Sequence, residues 1–334
     1  MNWFITSIIE LGTIAVILFL IAALFAPFES LGWWAGWSKR WPSPVSLPVE
    51  ADPAAGHPGA PPSCYIVFFS GVGITNAENL TPKELRFLEL LAQRLPGAAF
   101  IHDIFPYSAV NNPLTNQRLF GWFWAWAGRA MRRPATKQVF RLVALRNVLQ
   151  VAVSADRRYG PVFNFGVARA VLLRLLRLGY HPDCRAPIVL MGLSGAGQVA
   201  VGSGAALHRL LSVPVWVVSI GGVLTSDPGI LEIARVFQLS GSRDFTQYMG
   251  LALYPSCWPI FRQSAWNRAL AQGKRTVIHV GPMRHMSRGD YFSRSALLPD
   301  GTPHVERTAD VIAEIVTGLI ASRSLQPSAG APLE

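Results

Sequence analysis

Beyond residue 63 the chain switches repeatedly between two hydrophobic periods. Short runs of apolar, β-branched and aromatic residues predict strands at 65–69, 98–105, 188–191, 213–220, 236–239 and 276–280. Apolar positions recurring every three or four residues predict helices at 82–95, 162–178, 197–211 and 305–320. Thr81, directly before Pro82, gives the first of these helices a capping side chain. Strands that alternate with helices build a mostly parallel sheet with helices on both faces, so the body, 64–322, is predicted to be α/β. One stretch interrupts the alternation: 109–160, between the second strand and the helix at 162–178, reads as a helical insertion.

A different pattern precedes the body. From Trp3 to Phe28 the only charge is Glu10, and 14–26 is unbroken apolar sequence. At about 1.5 Å of rise per residue, 3–28 spans a hydrocarbon layer of about 30 Å, which predicts a single N-terminal transmembrane helix. Residues 1–13 hold no Lys or Arg, unlike the basic start of a cleaved signal peptide. Trp33, Trp34, Trp37 and Trp41, with Lys39 and Arg40, form the aromatic and basic flank expected where a helix leaves a bilayer, and the positive side predicts a body on the cytoplasmic face. The rest of 29–63 is a Pro-rich linker, with seven prolines between 42 and 63, and 323–334 reads as a flexible tail.

Composition and charge narrow the classes of function. Half of the 334 residues are apolar, enough for a large buried core. Cys64, Cys184 and Cys257 are odd in number, form no C-x-x-C pair and have no histidine at metal spacing. That argues against a disulfide framework or zinc site and for buried free thiols. The net charge of +11 is concentrated: 118–158 holds nine Lys or Arg against one acid, Asp156, interleaved with Phe120, Trp122, Phe123, Trp124 and Trp126. No zinc-finger, RRM or KH signature accompanies them, and the mixture suits a lipid interface rather than nucleic acid.

The candidate chemistry lies at 188–197. A wholly apolar run leads into Gly-Leu-Ser-Gly-Ala-Gly and then a helix, which puts Ser194 at the apex of a strand–turn–helix unit. Gly192, Gly195, Ala196 and Gly197 are small, as such a turn needs; no P-loop lysine follows. In these residues the chain resembles the α/β-hydrolase superfamily, with Ala196 in place of the second glycine of G-x-S-x-G.

The resemblance implies a membrane-anchored serine hydrolase with Ser194 as nucleophile. It carries the acid to Asp244, in the Ser-Gly-Ser-Arg-Asp that follows the strand at 236–239, and the base to His285, in the loop after the last strand. Asp227 is the alternative acid, although Asp before Pro is also a turn or cap; His304, just before the closing helix, is the alternative base. Asp290 reads as a turn residue and His279, within the last strand, as a core histidine. An oxyanion hole is expected from the N–H groups of Gly195 and of Val72 or Gly73, in the Ser-Gly-Val-Gly loop after the first strand, where the family often has His-Gly. The basic, aromatic insertion is expected over the site, as a lid and second membrane contact favouring an apolar acyl ester or thioester, with no metal or organic cofactor. A catalytically inactive, membrane-tethered binding or scaffold protein is the alternative.

Overall fold

The computed structural model describes residues 10, 13, 17, 26–35 and 61–324, apart from 79, 118–119, 132, 134–138 and 185. Most of the predicted transmembrane segment 3–28, most of the Pro-rich linker and nearly all of the tail lie outside these residues. No described helix is long and apolar enough to cross a membrane.

Six strands form one sheet: β1 (Cys64–Phe69), β2 (Ala98–Ile101), β3 (Ile188–Leu193), β4 (Val215–Ile220), β5 (Arg235–Gly241) and β6 (Arg275–Gly281). Their order is β2-β1-β3-β4-β5-β6, and every neighbouring pair is parallel. Nine helices are described: α1 (Phe28–Trp34), α2 (Pro82–Arg94), α3 (Gly121–Ala130), α4 (Phe140–Ala155), α5 (Gly160–Arg177), α6 (Ala196–Leu211), α7 (Met249–Leu253), α8 (Ala265–Ala271) and α9 (His304–Ser324).

Because side chains alternate along a strand, each of the central strands feeds two cores. Tyr65, Val67, Leu190 and Val217 pack with α5 and α6 through Val167, Val171 and Val199 on one face. Ile66, Phe68, Val189, Met191 and Val218 pack with α2 and α9 through Phe87, Leu91, Ile312 and Val316 on the other. Thr81 caps α2 in a capping box with Glu84. The buried, free thiols of Cys64 and Cys257 are pushed up to about 11 by burial, and Cys184 is half-buried.

Three expectations need correction. β2 ends at Ile101 rather than 105: it is an edge strand, and beyond it the Phe105 N–H donates to the Asn111 side chain (2.7 Å) instead of to a neighbouring strand. His279 is exposed rather than part of the core, because β6 is the opposite edge. Trp33, expected in a membrane flank, is 3% exposed and stacks on Phe165 of α5 at 6.3 Å. The chain thus joins the body at α1, ahead of the Pro-rich stretch.

The chain runs from β1 outward to β2 and then returns across β1 to β3, so the β1 and β3 exits diverge. In open parallel sheets such a switch point leaves a crevice at the carboxyl ends of the strands, where ligands bind. The Ser70–Gly73 loop and the Ser194 turn leave β1 and β3 at this point.

Candidate active site

Ser194 sits between β3 and α6 with φ +57, in the left-handed region that a residue with a side chain seldom adopts. The turn is held from several sides. The Ser194 N–H donates to the Ile220 carbonyl at 3.0 Å, and the Ser194 carbonyl accepts from Gly197 at 3.0 Å and Val223 at 3.3 Å. Its tightness requires glycine at 192, where a Cβ would lie 2.5 Å from the Ala196 carbonyl oxygen. Ala196 itself is fully buried at the start of α6, so the departure from the second glycine leaves the turn intact.

The Ser194 Oγ lies 2.7 Å from His285 Nε2, and His285 Nδ1 lies 3.0 and 3.1 Å from the two Asp244 oxygens. A carboxylate only accepts, so the proton belongs on Nδ1, and Nε2 is left as acceptor for the serine hydroxyl. Asp244 is buried, while His285 keeps 15% of its side chain exposed. The loops that carry acid and base are tied together: Ser242 N–H donates to the Gly281 carbonyl and Arg243 N–H to that of Met283. A Cβ on Gly241 would lie 2.5 Å from the Met283 carbonyl oxygen, so only glycine permits this approach. From α2, Lys83 reaches across to Asp290 and the Ser287 carbonyl and fixes the far side of the histidine loop.

The alternatives are engaged elsewhere. Asp227 caps a short 3-10 turn through Gly229 N–H and accepts from Gln198 Nε2 at 2.7 Å; burial holds its carboxyl above the usual range. The His304 ring is buried and donates from Nδ1 to the Asp290 carbonyl at 3.3 Å.

The loop from β1 lies against the serine turn. A Cβ placed on Gly195 would be 3.0 Å from Val72 Cγ1 and 3.0 Å from Val151 of α4. None of the N–H groups of Val72, Gly73 and Gly195 donates to an acceptor among the described residues. Asn147, wholly buried on α4, donates through Nδ2 to the carbonyls of both Val72 and Ile74 at 2.8 Å. Since a trans peptide points its C=O and N–H in opposite directions, this clamp turns the Gly73 N–H away from Asn147. The start of the loop is held by Ser70 Oγ, 2.5 Å from Glu84, and by Tyr107, whose hydroxyl donates to the Ser70 carbonyl at 2.8 Å.

Two residues of this arrangement escaped sequence reasoning. Tyr291 donates to Asp244 Oδ2 at 2.9 Å and accepts the Gly241 N–H at 2.9 Å. Burial, reinforced by the Asp244 charge, raises its phenol far above the ordinary range, so it remains a donor. Asn147 is the other. Its signal was a polar residue at the inward spacing of an insertion helix, which charge counting passes over.

A parallel sheet with helices on both faces, a positive-φ serine between strand and helix, and Asp244 and His285 on the loops after β5 and β6 fit the arrangement of an α/β-hydrolase fold. No protein-family model and no curated protein matches the chain. Among solved structures it is similar to a dienelactone hydrolase from Anabaena variabilis, with a TM-score of 0.41 and 15% identity, over 78% of this chain and 88% of that chain. So distant a likeness carries no chemistry across; the fold assignment stands on the topology and the serine turn.

Proposed function

We propose that the protein is a serine hydrolase that cleaves an ester or thioester of an apolar acyl group, anchored to a membrane through 3–28 with its body on the cytoplasmic face. The observation that carries this reading is the continuous relay from Ser194 Oγ through His285 to buried Asp244, set on a strained serine. His285 Nε2 takes the Ser194 proton as Oγ attacks the acyl carbonyl, and Asp244 holds the imidazole in the required tautomer. The carbonyl oxygen, now negative, meets the N–H of Gly195 and that of Val72 or Gly73. Collapse breaks the bond to the alcohol or thiol, which leaves with the proton from His285. Water, deprotonated by the same histidine, then releases the acid and restores Ser194. None of these steps calls for a metal or an organic cofactor.

The apolar substrate class is supported by the surroundings of the serine. Val72, Val151 and Phe140 crowd the turn and the β1 loop, and Trp122 and Leu142 stand exposed on the helices above.

Hydrolysis of p-nitrophenyl butyrate by the full chain in detergent tests the reading. Ser194→Ala and His285→Ala are each expected to lower kcat by about 10³-fold or more, and Asp244→Asn by a comparable factor. Unchanged turnover in any of the three folded variants would remove that residue from the mechanism.

A further inference from the structure

Helix α4 is built inside out. Its buried face presents Asn147, Gln150 and Ser154 beside Val143 and Val153, while Leu142, Leu145 and Val148 stand exposed on its outer face. Most of the polar inner groups are matched: Asn147 donates to two loop carbonyls, Gln150 Nε2 to the Ala26 carbonyl at 3.2 Å, and Ser154 to Asn164 at 2.7 Å, while Gln150 Oε1 has no partner among the described residues. The outer three recur at a spacing of three residues, one stripe along the helix. Trp122, at 73% exposure, and Trp126 repeat the pattern on α3, four residues apart. A water-facing helix has its apolar stripe inward; one with the stripe outward is made for an apolar partner.

The charges say which partner. The sequence contains no Asp or Glu from 104 to 155 and none from 245 to 289. These two runs carry α3 and α4 on one hand, and on the other the segment that follows Asp244, with its exposed Phe245, Leu253 and Ile260, together with the His285 loop. They approach one another at a cavity of about 390 Å³, which Ala155 lines from the end of the first run and Tyr254 and Ser256 from the second, with Asp156 just past the first run at its edge. Arg129, Arg133, Arg141 and Arg262 are exposed around the apolar residues. Exposed apolar side chains with exposed arginines in the same two runs, and no acid within either run, match an anionic lipid surface, not a second copy of the same positive face.

Helix α1 supplies the position. It follows directly on the apolar segment 3–28, and it is packed into the body through Trp33 on Phe165 and through Ala26 on Gln150 of α4. A body so joined meets the chain at α1, ahead of the Pro-rich stretch in sequence.

We propose that the α3–α4 face, with the apolar segment 245–261, rests on an anionic bilayer, so that the Ser194 site takes its acyl substrate from the membrane. The proposal rests on the hydrolase reading for the substrate, but its test does not. Nitroxide labels at Trp122→Cys, Leu142→Cys and Ile260→Cys, and at Thr317→Cys on exposed α9 on the opposite face of the sheet, are introduced into the full chain carrying Cys184→Ser. The protein is reconstituted into vesicles of phosphatidylcholine and phosphatidylglycerol. Relaxation by oxygen, which concentrates in lipid, relative to a water-soluble nickel chelate is expected to be several-fold higher at 122, 142 and 260 than at 317. Equal nickel access at all four positions overturns the proposal, and so do labels at 122 and 142 shielded from both reagents, the mark of a protein partner. Loss of Ser194 reactivity with this accessibility pattern intact would remove the hydrolase reading alone.

Discussion

Tyr291 shares the Asp244 carboxylate with His285 and is the residue whose removal most cleanly separates positioning from folding. Tyr291→Phe leaves the ring in place, deletes the donor to Asp244 and leaves the Gly241 N–H without its acceptor. The expected outcome is a kcat lower by about 10-fold at unchanged KM, in line with about 1–3 kcal/mol for a hydrogen bond to a charged group. A kcat that stays at the parent value in the folded variant would reduce Tyr291 to a packing role. The grouping of Ser194, Asp244 and His285 was legible in the sequence because each follows an apolar strand run, in the chain order that the resemblance implies. Tyr291 was not, since nothing local marks it: its partners, Gly241 and Asp244, lie 50 and 47 residues away and meet it only across the folded sheet edge.

Among the elements, α4 does two things at once, buttressing the β1 loop from its inner face and turning an apolar stripe outward. Asn147→Leu keeps the volume close but strips the Val72 and Ile74 carbonyls of their donor. Stability should fall by about 1–3 kcal/mol, read as a lower melting temperature, because buried carbonyls are left unsatisfied. Ester turnover by the remaining folded protein should fall by more than its folded fraction, since the oxyanion donors are no longer held. Turnover that tracks the folded fraction alone would leave Asn147 structural. The sequence predicted the alternating strands and helices well where periodicity is enforced by a core on both sides, as at β3 and β4. It overran at β2, an edge strand that ends at Ile101, and it placed β6 well but misjudged the exposure of His279, because an edge strand has no neighbour on one side to cover it. It also passed over the orientation of α4, since apolar spacing reveals a stripe without revealing which way the stripe faces.

At the scale of the molecule, the switch point between β1 and β3 brings the serine turn and the candidate oxyanion loop into one crevice, and the loops after β5 and β6 bring Asp244 and His285 to the serine. Helix α4, whose Phe140 and Val151 lie against the β1 loop and the serine turn, falls within an acid-free part of the chain. The most direct measurement is the mass of the full chain after exposure to a fluorophosphonate, followed by peptide mapping. A single adduct is predicted on Ser194, absent from Ser194→Ala and formed far more slowly in His285→Ala, because the serine is reactive only through the histidine. A folded protein that takes up no label, or carries it on another residue while Ser194 stays free, would contradict the assignment.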